Sequence, residues 1–142
     1  MPRLAETDAV SRAFDAMSRE AHDCVLVMRH GRLAGIFTSR DFLNRVAAER
    51  GDPERIALSA VMTASPRTLR PWDGIAFAIN WMAVEGFRNV PIVDDEGVVL
   101  GVLTVWDVMR HLGEIFDEID DTPRAVRLTG DPSDMVDLGG DA

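Results

Sequence analysis

The chain has 142 residues, a formal charge of −9 and one cysteine. That length buries about two-thirds of the unfolded surface without staples, and a single cysteine excludes an internal disulfide. Residues 113–142 carry nine acids and two arginines against fifteen acids and thirteen arginines in residues 1–112, so no basic surplus exists to bind nucleic-acid phosphates. All 15 basic residues are arginine, which rules out Schiff-base or P-loop lysine chemistry in this chain.

In chain order, Val10, Ala13, Phe14 and Met17 have the i, i+3, i+4, i+7 spacing of an amphipathic helix. Cys24 to Met28 is an apolar run of strand length, followed by a polar turn, Arg29-His30-Gly31-Arg32, and a second strand from Leu33 to Phe37 that gives way to a helix just after Thr38. The same order then returns. Ile75, Ala78, Ile79 and Met82 repeat the helix 65 positions on, and Asn89 to Val93 repeats the first strand. Asp94-Asp95-Glu96-Gly97 repeats the turn and Val98 to Leu103 the second strand, the two together one residue longer than in copy one. Gly35-Ile36-Phe37-Thr38-Ser39-Arg40-Asp41-Phe42-Leu43 recurs as Gly101-Val102-Leu103-Thr104-Val105-Trp106-Asp107-Val108-Met109. A duplicated unit of this kind cannot bury its apolar face alone, so two copies are expected to pack against each other and leave a seam suited to a small ligand.

Val108, Met109, Leu112, Ile115, Phe116 and Ile119 keep helical spacing to about Asp120, so the last helix is expected to outrun its counterpart in copy one. Its stripe packs either on its own module or in a subunit interface. Beyond it, Pro123, Gly130-Asp131-Pro132 and Gly139-Gly140 break any regular element, and residues 121–142 read as a flexible acidic tail.

The Gly-apolar-apolar-Thr-x-x-Asp signature in both copies, with Asn89-Val90-Pro91-Ile92-Val93-Asp94 and Val61-Met62-Thr63 opening the second, resembles the CBS domain, named after cystathionine β-synthase. The likeness covers roughly residues 1–120. It implies an α/β fold of two tandem β-α-β-β-α repeats about a pseudo-two-fold axis. Repeat one is expected over residues 1–58, shortened at its start, and repeat two over 59–120. At an offset of 65, Met1 corresponds to Pro66, so the counterpart of Val61-Met62-Thr63 would precede residue 1. The expectation is either a piece of a longer protein, with a further domain upstream, or a naturally shortened first copy.

Two readings of the Thr-x-x-Asp junctions stay open. As a capping box, the hydroxyl and carboxylate satisfy free amides at a helix start. As a ligand site, the helix N-terminus and the Thr hydroxyl accept phosphate while the carboxylate takes the two hydroxyls of a ribose. The resemblance implies the second: Thr38 and Asp41 in one cleft, and Thr104 and Asp107 in the other, hold phosphate and ribose of an adenine nucleotide. The base then lies near Cys24 and Val25, near Asn89 and Val90, and near Thr68 on the lead-in strand of copy two.

Arg88-Asn89 stands where copy one has Asp23-Cys24, which favours the second cleft for an anion, while Arg40 in copy one answers Trp106 in copy two. Arg88 as a solvated surface residue is the competing reading. Cys24 reads as a buried small hydrophobe, the three tryptophans as packing residues, and the three histidines have no metal-ligand spacing.

The leading expectation is a regulatory module that senses an adenine nucleotide, needs no other cofactor, forms a homodimer, and acts on a fused or separate effector. A structural dimerisation module with empty clefts is the alternative. An enzyme is disfavoured, since no nucleophile with a base, no phosphate loop and no paired catalytic acids stand at recognisable spacings. No segment reaches the ~18 apolar residues of a membrane span and no signal peptide is visible, so the expected location is cytoplasmic, without membrane insertion.

Overall fold

The computed structural model describes residues 1–119; the acidic segment from 121 onward lies outside them. Two compact units result, Met1–Val105 and a second beginning at Trp106.

Copy one opens with the short strand β1 (Arg3–Ala5) and helix α1 (Val10–Glu20). Val10, Ala13 and Met17 are the buried face of α1, as their spacing requires, and Ala21 closes the helix in the left-handed conformation (φ 55°) with its N–H returned to the Met17 carbonyl. Strands β2 (Cys24–Arg29) and β3 (Arg32–Thr38) form a hairpin through a two-residue turn. His30 (φ 50°) and Gly31 (φ 75°) both adopt positive φ, the conformation whose twist matches antiparallel strands.

Strand β2 is covered on both faces. Val25 and Val27 point into a core with α1, Phe37, Val46, Leu58 and Val61. Cys24 and Leu26, on the opposite side of the pleat, meet Ile36 and, from copy two, Val93 and Val99. The period of two thus assigns alternate residues to the core of copy one and to the seam between copies. Each fully buried aliphatic side chain stabilises the fold by about 1.5–3 kcal/mol.

After Thr38 the chain makes one turn of helix, α2 (Ser39–Asp41), and continues directly as a π-helical stretch, Phe42–Ala47. A one-turn helix α3 (Leu58–Val61) then leads to strand β4 (Thr63–Ala64). Although β4 belongs to the opening of copy two, it pairs antiparallel with β3 of copy one, giving a four-stranded sheet in the order β1-β2-β3-β4.

Copy two continues with α4 (Ile75–Glu85), capped by Gly86 at φ 76°, and the hairpin β5 (Asn89–Val93) and β6 (Val99–Thr104). Leu69 forms a parallel bridge to Ile92, so the lead-in segment repeats the parallel pairing of β1 with β2. Helix α5 (Val105–Ile119) has 15 residues, longer than its counterpart in copy one, as the apolar spacing predicts.

Candidate functional site

Both hairpins carry their Thr at the strand end remote from the turn. Cys24 is the register partner of Thr38, and Asn89 of Thr104. The backbone leaves these strands identically in both copies: Ser39 N–H donates to the Asp23 carbonyl at 3.0 Å, and Val105 N–H to the Arg88 carbonyl at 2.9 Å. One side-chain contact joins the two ends, from Asn89 Nδ2 to Asp23 Oδ1 at 3.0 Å. The carboxylate expected to disfavour anions in copy one alone therefore also stands against copy two.

The capping box is present at the first junction. Asp41 N–H donates to Thr38 Oγ1 at 3.2 Å, and Asp41 Oδ2 accepts from Thr38 N–H at 3.0 Å. Asp41 is buried and also accepts from the Thr63 hydroxyl, at 3.2 Å on Oδ1. Arg45 adds its guanidinium 3.9 Å from the same oxygen and donates to the carbonyls of Val61 and Met62. Asp41 thus fastens the opening of copy two to the helix of copy one. At the second junction Thr104 ends β6 and Asp107 lies in the first turn of α5, paired with Arg110 at 3.8 Å. The Asp107 side chain is 39% exposed and that of Asp41 10%.

The base-holding positions are spread more widely. Cys24, Val25 and Val90 are fully buried, backbone and side chain alike. Burial, and then the charge of Asp23, push the Cys24 thiol up to about 12, and the thiol faces Met1 Sδ at 3.3 Å. It is a packed, unreactive hydrophobe, as its place in an apolar strand suggests. Thr68 stands towards the hairpin turn, lining a cleft of about 350 Å³ with Ser65, Pro66, Arg70 and the turn Asp94–Gly97. A neighbouring cleft of about 440 Å³ is lined by Arg29, His30 and Arg32. Leu33 borders both. Thr38, Asp41, Asn89 and Thr104 line neither.

Arg88 is exposed. Arg40 is exposed as well and extends towards copy two, its guanidinium 3.9 Å from the position of a side chain at Gly86, where the carbonyl end of α4 favours a cation. Among the described residues no cluster of three or more histidine, cysteine or acidic side chains could hold a metal ion, and no helix is long and apolar enough to cross a membrane.

The contribution of Thr63 to Asp41 and the link between Asn89 and Asp23 were missed by reading the sequence. The first had a signal in Val61-Met62-Thr63, the opening of copy two; the second had none.

Comparison with known proteins agrees with this arrangement. The CBS domain profile matches residues 2–48 and again 58–114. A stretch of 103 residues is 33% identical to the CBS domain-containing protein CBSCBSPB1 of Arabidopsis thaliana, covering 72% of this chain and 19% of that protein. The chain spans between 16% and 52% of the length of three curated relatives.

Among solved structures, CBSX2 in complex with AMP superposes with a TM-score of 0.70 at 21% identity, covering 81% of this chain and 89% of that one. A CBS domain protein of Pyrobaculum aerophilum complexed with AMP gives 0.68 at 21% identity, covering 90% and 88%. These likenesses concern the fold. With both copies matched by one domain profile and the same α/β repeat seen twice, the chain belongs to the CBS domain family, as a tandem pair.

Proposed function

We propose that this pair is a regulatory module that senses an adenine nucleotide at the strand ends of its two repeats. It reports occupancy to a fused or separate effector, as a homodimer in the cytoplasm. The observation that carries this reading is the twin placement of Cys24 beside Thr38 and Asn89 beside Thr104, linked through Asn89 and Asp23. AMP in complexes of two proteins of the same fold supports adenine as the base. The hydroxyls of Thr38 and Thr104 join helix-start amides around phosphate, and Asp41 and Asp107 accept from the ribose. Arg88 and Arg40 supply positive charge, and the base lies near Cys24 and Val25, and near Asn89 and Val90, with Thr68. The repeats divide near residue 58, and residues 121–142 serve as an acidic tail. Catalysis belongs to the effector, and the nucleotide is a regulatory ligand.

An adenine nucleotide is expected to bind with a dissociation constant between micromolar and sub-millimolar, about 5–8 kcal/mol. At 100 times that constant, linkage adds roughly 2.7 kcal/mol, which raises Tm by about 5–10 °C in a domain of this size. A thermal-shift panel of adenine and guanine nucleotides on ligand-free protein checks it. No shift with any adenine compound sinks the reading.

A second reading, a structural module with empty clefts, is favoured by one observation: the Asp41 carboxylate is already engaged by Thr38 and Thr63. The exposure of the two carboxylates ranks the sites, 39% for the Asp107 side chain against 10% for Asp41. Asp107→Ala is expected to weaken nucleotide binding about tenfold or more, a loss of about 1.4 kcal/mol. Asp41→Ala is expected mainly to lower stability, by about 1–3 kcal/mol, through the lost cap and the orphaned Thr63 hydroxyl. Calorimetry on folded variants decides the order, which is wrong if Asp41→Ala proves the more damaging to binding.

A further inference from the structure

The hairpin turn of copy one carries basic side chains in a row broken only by glycine: Arg29, His30 and Arg32. They line a cleft of about 440 Å³, completed by the apolar Leu33 and Ala34, a volume in the range of small-molecule sites. Arg29 and Arg32 are register partners across the turn. Their side chains therefore stand on one face of the hairpin, where like charges directly opposite each other destabilise the strand pair. Between them His30 holds φ 50°, a left-handed position that Asn or Gly fills at lower cost. The turn thus keeps an arrangement that folding alone disfavours. Copy two has nothing like it, since the matching turn is Asp94-Asp95-Glu96-Gly97.

Of the two guanidinium groups, only that of Arg29 is neutralised. It donates to Glu6 Oε1 at 2.7 Å and lies 2.6 Å from Oε2. Arg32 is held by its stem instead: Cβ, Cγ and Cδ pack within 4.0 Å of the place a side chain would take at Gly97, where Leu33 N–H donates to the Gly97 carbonyl at 3.2 Å. Yet its charged end pairs with none of the acids in that facing turn. Asp95 is taken by Arg70, and Asp94 accepts from the N–H groups of Glu96 and Val98 at 2.9 Å each. Among the described residues no ion pair or side-chain hydrogen bond engages Arg32.

We propose that this cleft is a further ligand site, which takes a phosphorylated small molecule through its phosphate dianion. Arg32 is the main anchor, because its planar fork matches phosphate oxygens and its stem is already fixed. Arg29, steadied by Glu6, and His30 add donors from the same turn, and Leu33 and Ala34 lie against the organic part. The site stands at the turn end of the hairpin and Thr38 at the other, so it is independent of the nucleotide reading.

The probe is glycerol 3-phosphate, added to the isotope-labelled 142-residue chain at constant ionic strength, with glycerol and sodium chloride as controls. Amide chemical shifts read place and affinity together. Saturable shifts at residues 29–34 are expected, with a dissociation constant of about a millimolar or tighter, and none with either control. Arg32→Gln keeps the three stem carbons that pack on Gly97 and removes the charge. It is expected to weaken binding at least tenfold while leaving the ligand-free Tm equal to or above that of wild type, because the like-charge pair with Arg29 is lifted. Arg32→Lys is expected to recover part of the affinity, as a point charge without the fork.

Absence of saturable shifts at millimolar probe overturns the proposal, as does a response matched by chloride. Shifts confined to residues 38–41 and 104–107 overturn it too, by assigning the phosphate to the helix starts. Full binding to Arg32→Gln refutes the anchor, and a fall in the ligand-free Tm of that variant makes Arg32 a residue of the fold and removes the ground for the site.

Discussion

Gly35→Ala is expected to destabilise the protein by about 2–3 kcal/mol, although it adds a single carbon to a strand in which alanine is otherwise acceptable. The added atom would stand 2.5 Å from Met62 Sδ and 2.8 Å from the Thr63 carbonyl oxygen. A methionine side chain can swing away, but a backbone carbonyl held in a strand pair cannot, so β4 must separate from β3. That movement takes Thr63 away from Asp41 and pulls the Met62 and Val61 carbonyls from Arg45. One carbon therefore loosens the ladder, the cap and the ion pair together.

Urea denaturation measures the change, and two controls sharpen it. Gly101→Ala, at the matching place in copy two, is expected to lie within about 0.5 kcal/mol of wild type or slightly above it, since nothing opposes the methyl group and the unfolded chain loses entropy. Adding Met62→Ala to Gly35→Ala is expected to restore little, because the obstacle that remains is backbone. Equal effects at the two glycines, or full rescue by Met62→Ala, would show that β4 does not constrain β3 in this way.

The repeat made most of this architecture legible. Val10, Ala13 and Met17 mark the buried face of α1, and the apolar run at Asn89–Val93 is β5 from end to end. Local periodicity is strong there because each element buries one defined face. The hairpin at His30-Gly31 also shows in the sequence, since a glycine between two apolar runs meets the need for positive φ. The lead-in strand β1 has only three residues, too short for any period, and was expected from the family resemblance alone.

What stayed hidden depends on partners distant in sequence. The repeat foretold a helix just after Thr38, but not that Phe42–Ala47 would widen to π geometry. Gly35 and Gly101 look alike in the sequence, yet one is pressed by Met62 and the other open. The Thr-x-x-Asp motif gave the capping box at Asp41 directly, because both partners lie within one turn. Its third bond, from Thr63, comes 22 positions later and follows only from the crossing of β4 into the sheet of copy one.

Phe116→Asp is expected to convert the proposed homodimer to monomers. Helix α5 extends through residues that have no helical counterpart in copy one, and on it Met109 is 57% exposed and Phe116 59% exposed. Seven residues apart, the two lie on one face of the helix, two turns from each other. Large apolar side chains so placed on a long helix call for a cover, and a second copy of the same face supplies one in a closed two-fold contact. Helix α4 is a separate candidate for an interface, because Phe77 and Val84 are exposed on a helix that is apolar nearly all round, a pattern that suits a buried element. A carboxylate at position 116 buried between subunits costs several kcal/mol in each half of the contact, enough to abolish a micromolar dimer. Sedimentation velocity at micromolar concentration reads the result, with circular dichroism to establish that the variant folds. A wild-type monomer refutes the dimer, and a dimer indifferent to Phe116→Asp moves the interface off α5, with Phe77→Asp on α4 as the variant that then locates it.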